Sequence, residues 1–267
     1  MTKDLKLGWH IGYWGRSMPV GVPDTLKMIE ALGYDSVFTA ESWGSDAISP
    51  LAWWGAGTTK LRLATNIVQI SARTPTATAM AAITMDHLSG GRFCLGLGVS
   101  GPQVVEGWYG QRFNKPLART REYVDIIRKV LKREERLSNA GPEYPIPAKD
   151  GLGLGKALNV MTHPVRADLP IFLGAEGPKN VALAAEIADG WFPIFYAPRH
   201  EQMYAQHLAE GFARPGARRT PDDFEILAMA TTFIDDDIEA AYNRARPTIA
   251  LYVGGMGAQE MNFHADV

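Results

Sequence analysis

A parallel α/β barrel is the fold this sequence predicts, on three observations. Short apolar strands alternate with amphipathic helices along most of the 267 residues, the order that builds a parallel sheet with helices outside it. The stretch Leu61–Gly101 holds one complete unit: a strand, a helix opened by Thr74-Pro75 and closed by Ser89-Gly90-Gly91, and a second strand ending in Gly96, Gly98 and Gly101. A single barrel of this kind takes roughly 250 residues, so one domain over residues 1–267 is expected. Such barrels keep their chemistry at the carboxyl ends of the strands, where these glycines fall.

The elements follow in order. Leu5, Leu7, Trp9, Ile11 and Tyr13 alternate on one face and predict a first strand. Val22–Leu32 reads as a helix with Pro23 in its first turn and Gly33 as its stop. Ser36–Thr39 is a short second strand, and Ser49-Pro50 opens a helix to Ala56 with the serine as cap. Leu61–Gln69 is strand three, the helix from Thr74-Pro75 runs to Leu88, and Phe93–Gly98 is strand four. A long helix from Pro116 to about Arg133 places Leu117, Val124, Ile127 and Leu131 at helical spacing. Then come a strand at Pro170–Gly174, a helix at Pro178–Ala188, a strand at Gly190–Ile194 and a helix at Arg199–Phe212. Phe224–Ile234 reads as strand seven and Ile238–Leu251 as the last helix, capped from the run Asp235-Asp236-Asp237.

Two places break this rhythm. Residues 134–169 include GPEYPIPAKDGLGLGK and are too long for an ordinary connection, so they predict an insertion such as a lid or binding element. Seven strands are found where a closed barrel needs eight, because an open parallel edge leaves backbone unpaired. Either a strand escapes the reading or a C-terminal part is missing from this chain.

Composition excludes several classes. The formal charge is −2 and no long basic run occurs, which argues against nucleic acid as partner. Cys94 is the single cysteine, so there is no disulfide framework, and a reducing cytoplasm is expected. No apolar run reaches a membrane span, and MTKDLKLGWH lacks a signal-peptide core. The six histidines form no metal-binding pattern, so no metal is expected.

The segments TNIVQ, SARTP, DHLSGGRFCLGLGVSG, LGAEGPKN and AEIADGW together resemble the luciferase-like monooxygenase superfamily, most closely its coenzyme F420-dependent oxidoreductase branch in actinobacteria. The resemblance runs from LGWHIGYWG to YVGGMG. It implies a TIM (β/α)8 barrel with insertions, a homodimer, a small-molecule substrate and chains longer than this one. It also implies hydride exchange at C5 of the deazaflavin, a cofactor that carries the hard chemistry while the protein orients it.

The resemblance assigns three cofactor-binding segments. Asn66, Ile67, Val68 and Gln69 end strand three, where family members carry a non-proline cis peptide behind the central ring, here placed at Asn66-Ile67 or one bond later. Gly98, Val99 and Ser100 line the ribityl and phosphate region. Gly174, Ala175, Glu176, Gly177, Pro178 and Asn180 form a turn into a helix whose free amides suit a phosphate, although a tight turn that simply needs glycine explains the same residues. Glu176 disfavours an anion unless it points away, and Lys179 favours one. Arg73, Arg112 and Lys179 are candidate basic contacts for the oligoglutamate tail.

Catalytic candidates are Glu41, Ser42 and Tyr13, with Trp43 and Tyr109 in the substrate pocket. Sugar-phosphate dehydrogenase members and luciferase subunits carry histidine where this chain has Ser42, and serine is a poor base without a partner. Reduction is therefore favoured over alcohol oxidation. Glu41 could act as acid or base, or could be a structural ion pair. His10 reads as a packed strand residue. The alternatives are an FMN-dependent two-component monooxygenase and a deazaflavin-binding protein without catalysis.

Overall fold

The computed structural model describes residues 5–255. The tail from residue 256, including the end of the YVGGMG segment, lies outside them. Contacts divide the chain into two compact units, Met1–Val99 with Lys115–Leu173 and Ser100–Asn114 with Gly174–Val267.

The first unit carries β1 (Gly8–His10), β2 (Ser36–Thr39), β3 (Arg62–Thr65), β4 (Val68–Gln69), β5 (Phe93–Gly98) and nearly all of β6 (Ile171–Gly174). They lie in the order β1-β2-β3-β5-β6, with β4 paired to β5. The pairings of β1 with β2, β2 with β3, and β3 and β4 with β5 are parallel. Helices α1 (Val22–Ala31), α2 (Ile48–Gly55), α3 (Pro75–Ser89) and α5 (Pro116–Lys132) connect the strands. All of β2 and β5 is buried, as continuous apolar strands of a covered parallel sheet must be.

Helix α3 starts and stops as its sequence predicts. Thr74 Oγ1 accepts from the Ala77 amide at 3.2 Å, Pro75 fills the first turn, and Gly90 adopts the left-handed conformation (φ 64°) that ends it. Its inner face (Ala79, Ala82, Ile83) is small enough to lie close to the sheet. Helix α2 differs from expectation. It begins at Ile48, and Asp46 Oδ1 accepts from the Ile48 and Ser49 amides at 2.9 and 2.8 Å, so Asp46 and not Ser49 satisfies the free donors. Strand β1 is only three residues long. Leu5 and Leu7 are 87% and 51% exposed, so the alternating face read from the sequence is not a buried one.

Residues 134–169 form no helix or strand beyond one isolated bridge, Asn139 to Ile146. Side chains of the helices hold them instead. Glu122 of α5 accepts from Asn139 Nδ2 at 3.1 Å and from the Tyr144 amide at 3.0 Å. Asp86 of α3 is buried and accepts from Arg166 Nε at 3.1 Å.

The second unit contains α4 (Pro102–Gly107), α6 (Pro178–Ile187), β7 (Gly190–Phe192), α7 (Glu201–Phe212), β8 (Glu225–Ile226) and α8 (Ile238–Ala250). Strands β7 and β8 pair in parallel. Gly211 of α7 sits where a Cβ would lie 2.1 Å from the Ala182 carbonyl oxygen and 2.6 Å from Ala185 Cβ, so the two helices meet nearly backbone to backbone. Asp237 caps α8 by accepting from the Glu239 amide at 2.9 Å. Three expectations are corrected here. Helix α4 escaped the reading because six residues show too little periodicity, the strand after α6 ends at Phe192, and strand seven shrinks to Glu225–Ile226. Strand three is broken into β3 and β4, so the eight described strands are still seven segments.

Candidate functional site

In the first unit the break between β3 and β4 is the feature around which the strand ends organise. The Asn66-Ile67 peptide is cis, at the first of the two bonds expected. Backbone hydrogen bonds fix it on one side: the Asn66 amide donates to the Thr39 carbonyl at 2.7 Å, and the Glu41 amide donates to the Ile67 carbonyl at 3.1 Å. On the other side Val68 and Gln69 pair with Leu97 and Gly98. A Cβ on Gly98 would lie 2.8 Å from Ile67 Cδ1. The missing side chain of Gly98 therefore makes room for Ile67, which stays half-buried at the strand end.

Glu41 is buried directly after β2 and is fully engaged. Its Oε1 accepts from Arg73 Nη1 at 2.7 Å, and its Oε2 accepts from the Gln69 amide at 3.0 Å. Arg73 is thus the ion-pair partner of Glu41; the spacing of SARTP to the glutamate gave no sign of it. The Arg73 guanidinium is raised above its ordinary value; burial opposes the shift, but the Glu41 carboxylate and Asp46 outweigh it. Gln69 Nε2 donates to the Glu41 carbonyl at 3.2 Å, while Gln69 Oε1, also buried, has no partner among the described residues. Tyr123 of α5 donates its hydroxyl to the Arg73 carbonyl at 3.1 Å and meets Thr78 Oγ1 at 2.5 Å. Burial pushes the Tyr123 phenol well above its usual range.

His10, half-buried at the end of β1, accepts from the Gly12 amide on Nδ1 at 2.9 Å, which leaves Nε2 as the donor to the Asn66 carbonyl at 3.3 Å. Burial lowers its pKa, so it is a neutral packing histidine, as expected. Tyr13 and Trp43 are 51% and 46% exposed, whereas Ser42 and Val99 are half-buried.

In the second unit Ser100 adopts a left-handed backbone (φ 59°) ahead of Gly101, the residue that caps α4, and Tyr109 lies half-buried after that helix. The other predicted segment is the turn from β6 into α6. Gly177 precedes Pro178, and the Asn180 and Val181 amides donate to the Gly177 carbonyl at 2.9 and 3.0 Å. Two side interactions fix the turn. Trp191 Nε1 donates to the Ala175 carbonyl at 2.7 Å, and the Ile194 amide donates to Glu176 Oε1 at 2.6 Å. Glu176 is thereby bonded to the backbone that follows β7, and burial pushes its pKa up to about 8. Nothing in the GAEGPKN segment foretold these two partners, because both lie in a later connection.

A cavity of about 450 Å³ in the first unit lies elsewhere, between α3, α5 and the insertion, with Met80, Ile83, Val130, Leu137 and Leu158 in its wall. None of the sequence-predicted site residues lines it. Among the described residues no group of histidine, cysteine and acidic side chains could hold a metal, and no helix is long and apolar enough to cross a membrane.

Parallel strands, a broken third strand and glycine-bearing strand ends define a class, and comparison with known proteins places the chain within it. Residues 19–266 match the luciferase-like monooxygenase family, and the chain belongs to that family. It is 63% identical over 269 residues to a Mycobacterium tuberculosis protein named, provisionally, a coenzyme F420-dependent oxidoreductase, covering 100% of this chain and 78% of the relative. It is 30% identical over 232 residues to the 5,10-methylenetetrahydromethanopterin reductase of Archaeoglobus fulgidus, spanning 86% of this chain and 65% of that one. Among solved structures, the coenzyme F420-dependent tetrahydromethanopterin reductase of Methanopyrus kandleri superposes with a TM-score of 0.75 at 22% identity, covering 95% of this chain and 73% of that one. The fold is the α/β barrel type of these proteins.

Proposed function

We propose that this chain is a coenzyme F420-dependent oxidoreductase that reduces a small organic substrate. The named activities of its relatives support the cofactor class. The observation that carries the reading is the strand-end surface of the first unit, where half-buried Ile67 sits on Gly98 in the break between β3 and β4. An apolar wall of this kind at the strand ends fits the face of a flat ring. The deazaflavin, when bound, supplies hydride exchange at its C5.

The chain's own residues position and protonate. Glu41 has both oxygens engaged by Arg73 and the Gln69 amide, so it acts as a positioning residue that fixes the loop before β4. Ser42 stands where a basic histidine would assist alcohol oxidation, and a serine is a poor base without a partner. Delivery of a hydride to a polarised double bond needs only a proton donor, a role open to the hydroxyls of Ser42 and Tyr13. Trp43, exposed after β2 in the first unit, offers aromatic surface to a substrate. In the second unit, the Gly174–Asn180 turn at the positive end of α6 suits a phosphate.

The test is reoxidation of reduced F420 by a panel of enones, imines and nitro compounds, followed by return of the oxidised chromophore's absorbance. Protein-dependent reoxidation by at least one acceptor supports the reading. Oxygen-dependent turnover with reduced FMN alone overturns it.

A further inference from the structure

We propose that His10 is a positioning residue that holds two parts of the site with one imidazole: Nε2 fixes the backbone at Asn66, ahead of Ile67, and Nδ1 fixes the loop that carries Tyr13. The inference rests on the reading that Ile67 backs the deazaflavin ring and Tyr13 supplies a proton, and it adds the residue that joins them.

The two bonds agree on one form of the ring. The Gly12 amide lies 2.9 Å from Nδ1, and a backbone amide can only donate, so Nδ1 carries no proton. The single proton of a neutral imidazole is then on Nε2, which faces the Asn66 carbonyl at 3.3 Å, a group that can only accept. An imidazolium would set a second N–H against that of Gly12. Burial acts in the same direction, since it disfavours the charged ring. The ring of Phe38, on β2, stacks on the imidazole with centroids 6.5 Å apart and holds its plane.

Both ends of this bridge lie in the first unit, where the chain leaves its ladders. The Ile11 amide donates to the Phe38 carbonyl at 3.0 Å and continues the pairing of β1 one residue past its end. Gly12 follows with φ 85°, a conformation that suits glycine, and its amide turns to His10. Tyr13 is thus held from before by Gly12 and from behind by Trp14, whose ring lies 5.6 Å from that of Trp54 on α2. At the other end, 56 residues away, the Asn66 amide and the Ile67 carbonyl are bonded to Thr39 and Glu41, on β2 and just after it. His10 takes the carbonyl between them, reaching from β1 across β2 to the break that follows β3.

Two substitutions separate the bonds. Asparagine carries its amide on Cγ, where Nδ1 branches from histidine, so its oxygen can accept from Gly12. Glutamine reaches the depth of Nε2, and its NH₂ can donate to Asn66. In the full chain, His10→Asn should raise the Kd for F420, read by fluorescence, about tenfold, as the loss of one hydrogen bond does. It should move the Ile67 methyl resonance and leave the Gly12 amide resonance in place. His10→Gln should do the reverse: the Gly12 amide shifts, affinity for F420 is kept, and kcat for reoxidation of reduced F420 falls about tenfold.

Long-range ¹H–¹⁵N spectra of the wild type should show the ring proton on Nε2, a measurement that stands even where a variant does not fold. A proton on Nδ1 would overturn the bridge. So would two variants that move both resonances and lose affinity and kcat alike, which is the behaviour of a residue that only packs. If the wild type binds no F420, the proposed function falls and the two resonances decide: the crossed pattern supports the bridge, and a shared one refutes it.

Discussion

At the residue scale, the Glu41–Arg73 pair matters through what its loss would leave behind. Glu41 is 5% exposed, and removing its partner strands a charge in a dry site. Arg73→Met should lower unfolding free energy by about 3 kcal/mol, the lower end for a broken buried pair because Arg73 keeps some contact with water. Adding Glu41→Gln should recover part of the loss, and urea unfolding of the wild type and the two variants measures it. Gly98 makes a second case. Gly98→Ala drives a methyl into Ile67 and should cost about 1–3 kcal/mol, and Ile67→Ala in the same chain should restore part of it because the two sites share one space. Glu176 gives a pH dependence whose sign is fixed. Its pKa rises from an ordinary 4.5 to about 8 in the folded chain, so the native state holds an extra proton between those values. Its stabilising share is complete below the lower value and disappears as pH rises to the upper one. Glu176→Gln should therefore gain on the wild type steadily as unfolding is measured at rising pH between those values.

At the scale of elements, what could be read from the sequence was whatever local chemistry decides. Thr74-Pro75 and Gly90 bound α3, Pro116 and Pro178 open their helices, and Asp237 caps the last one, because caps act within a turn of the chain. Misreadings arose where distant parts decide. Leu5 and Leu7 alternate like a buried strand yet remain exposed, since pairing with β2 involves only Gly8–His10. Ser49 resembled a cap, but the Asp46 carboxylate three residues earlier serves better. In the candidate site, the bulge position was legible from the family likeness, whereas the Glu41–Arg73 and Glu176–Ile194 bonds join segments 32 and 18 residues apart and leave no local trace. The helix pair α6 and α7 yields a prediction of its own. Gly211→Ala places a carbon 2.1 Å from the Ala182 oxygen, so the helices must part. The expected cost is about 3 kcal/mol, the upper part of the range for overpacking, seen as a lowered thermal midpoint. The insertion is likewise a separable element. Arg166→Ala removes the cation from buried Asp86 and should speed proteolytic cleavage within residues 134–169, while α3 and α5 remain folded by circular dichroism.

At the scale of the whole molecule, fold and family are secure, and the account turns on the cofactor. A parallel α/β barrel accepts many chemistries at its strand ends. Here those ends offer an apolar wall at Ile67 and Gly98, a glutamate locked by arginine, and a histidine held between the Gly12 amide and the Asn66 carbonyl. On the proposed reading that set orients a hydride carrier. Parallel fluorescence titrations of the purified chain with F420 and with FMN test this most directly. The account predicts saturable binding of F420 with far weaker binding of FMN, and Gly98→Ala should weaken it. Preferential binding of FMN would contradict it and assign these strand ends to oxygen-dependent flavin chemistry.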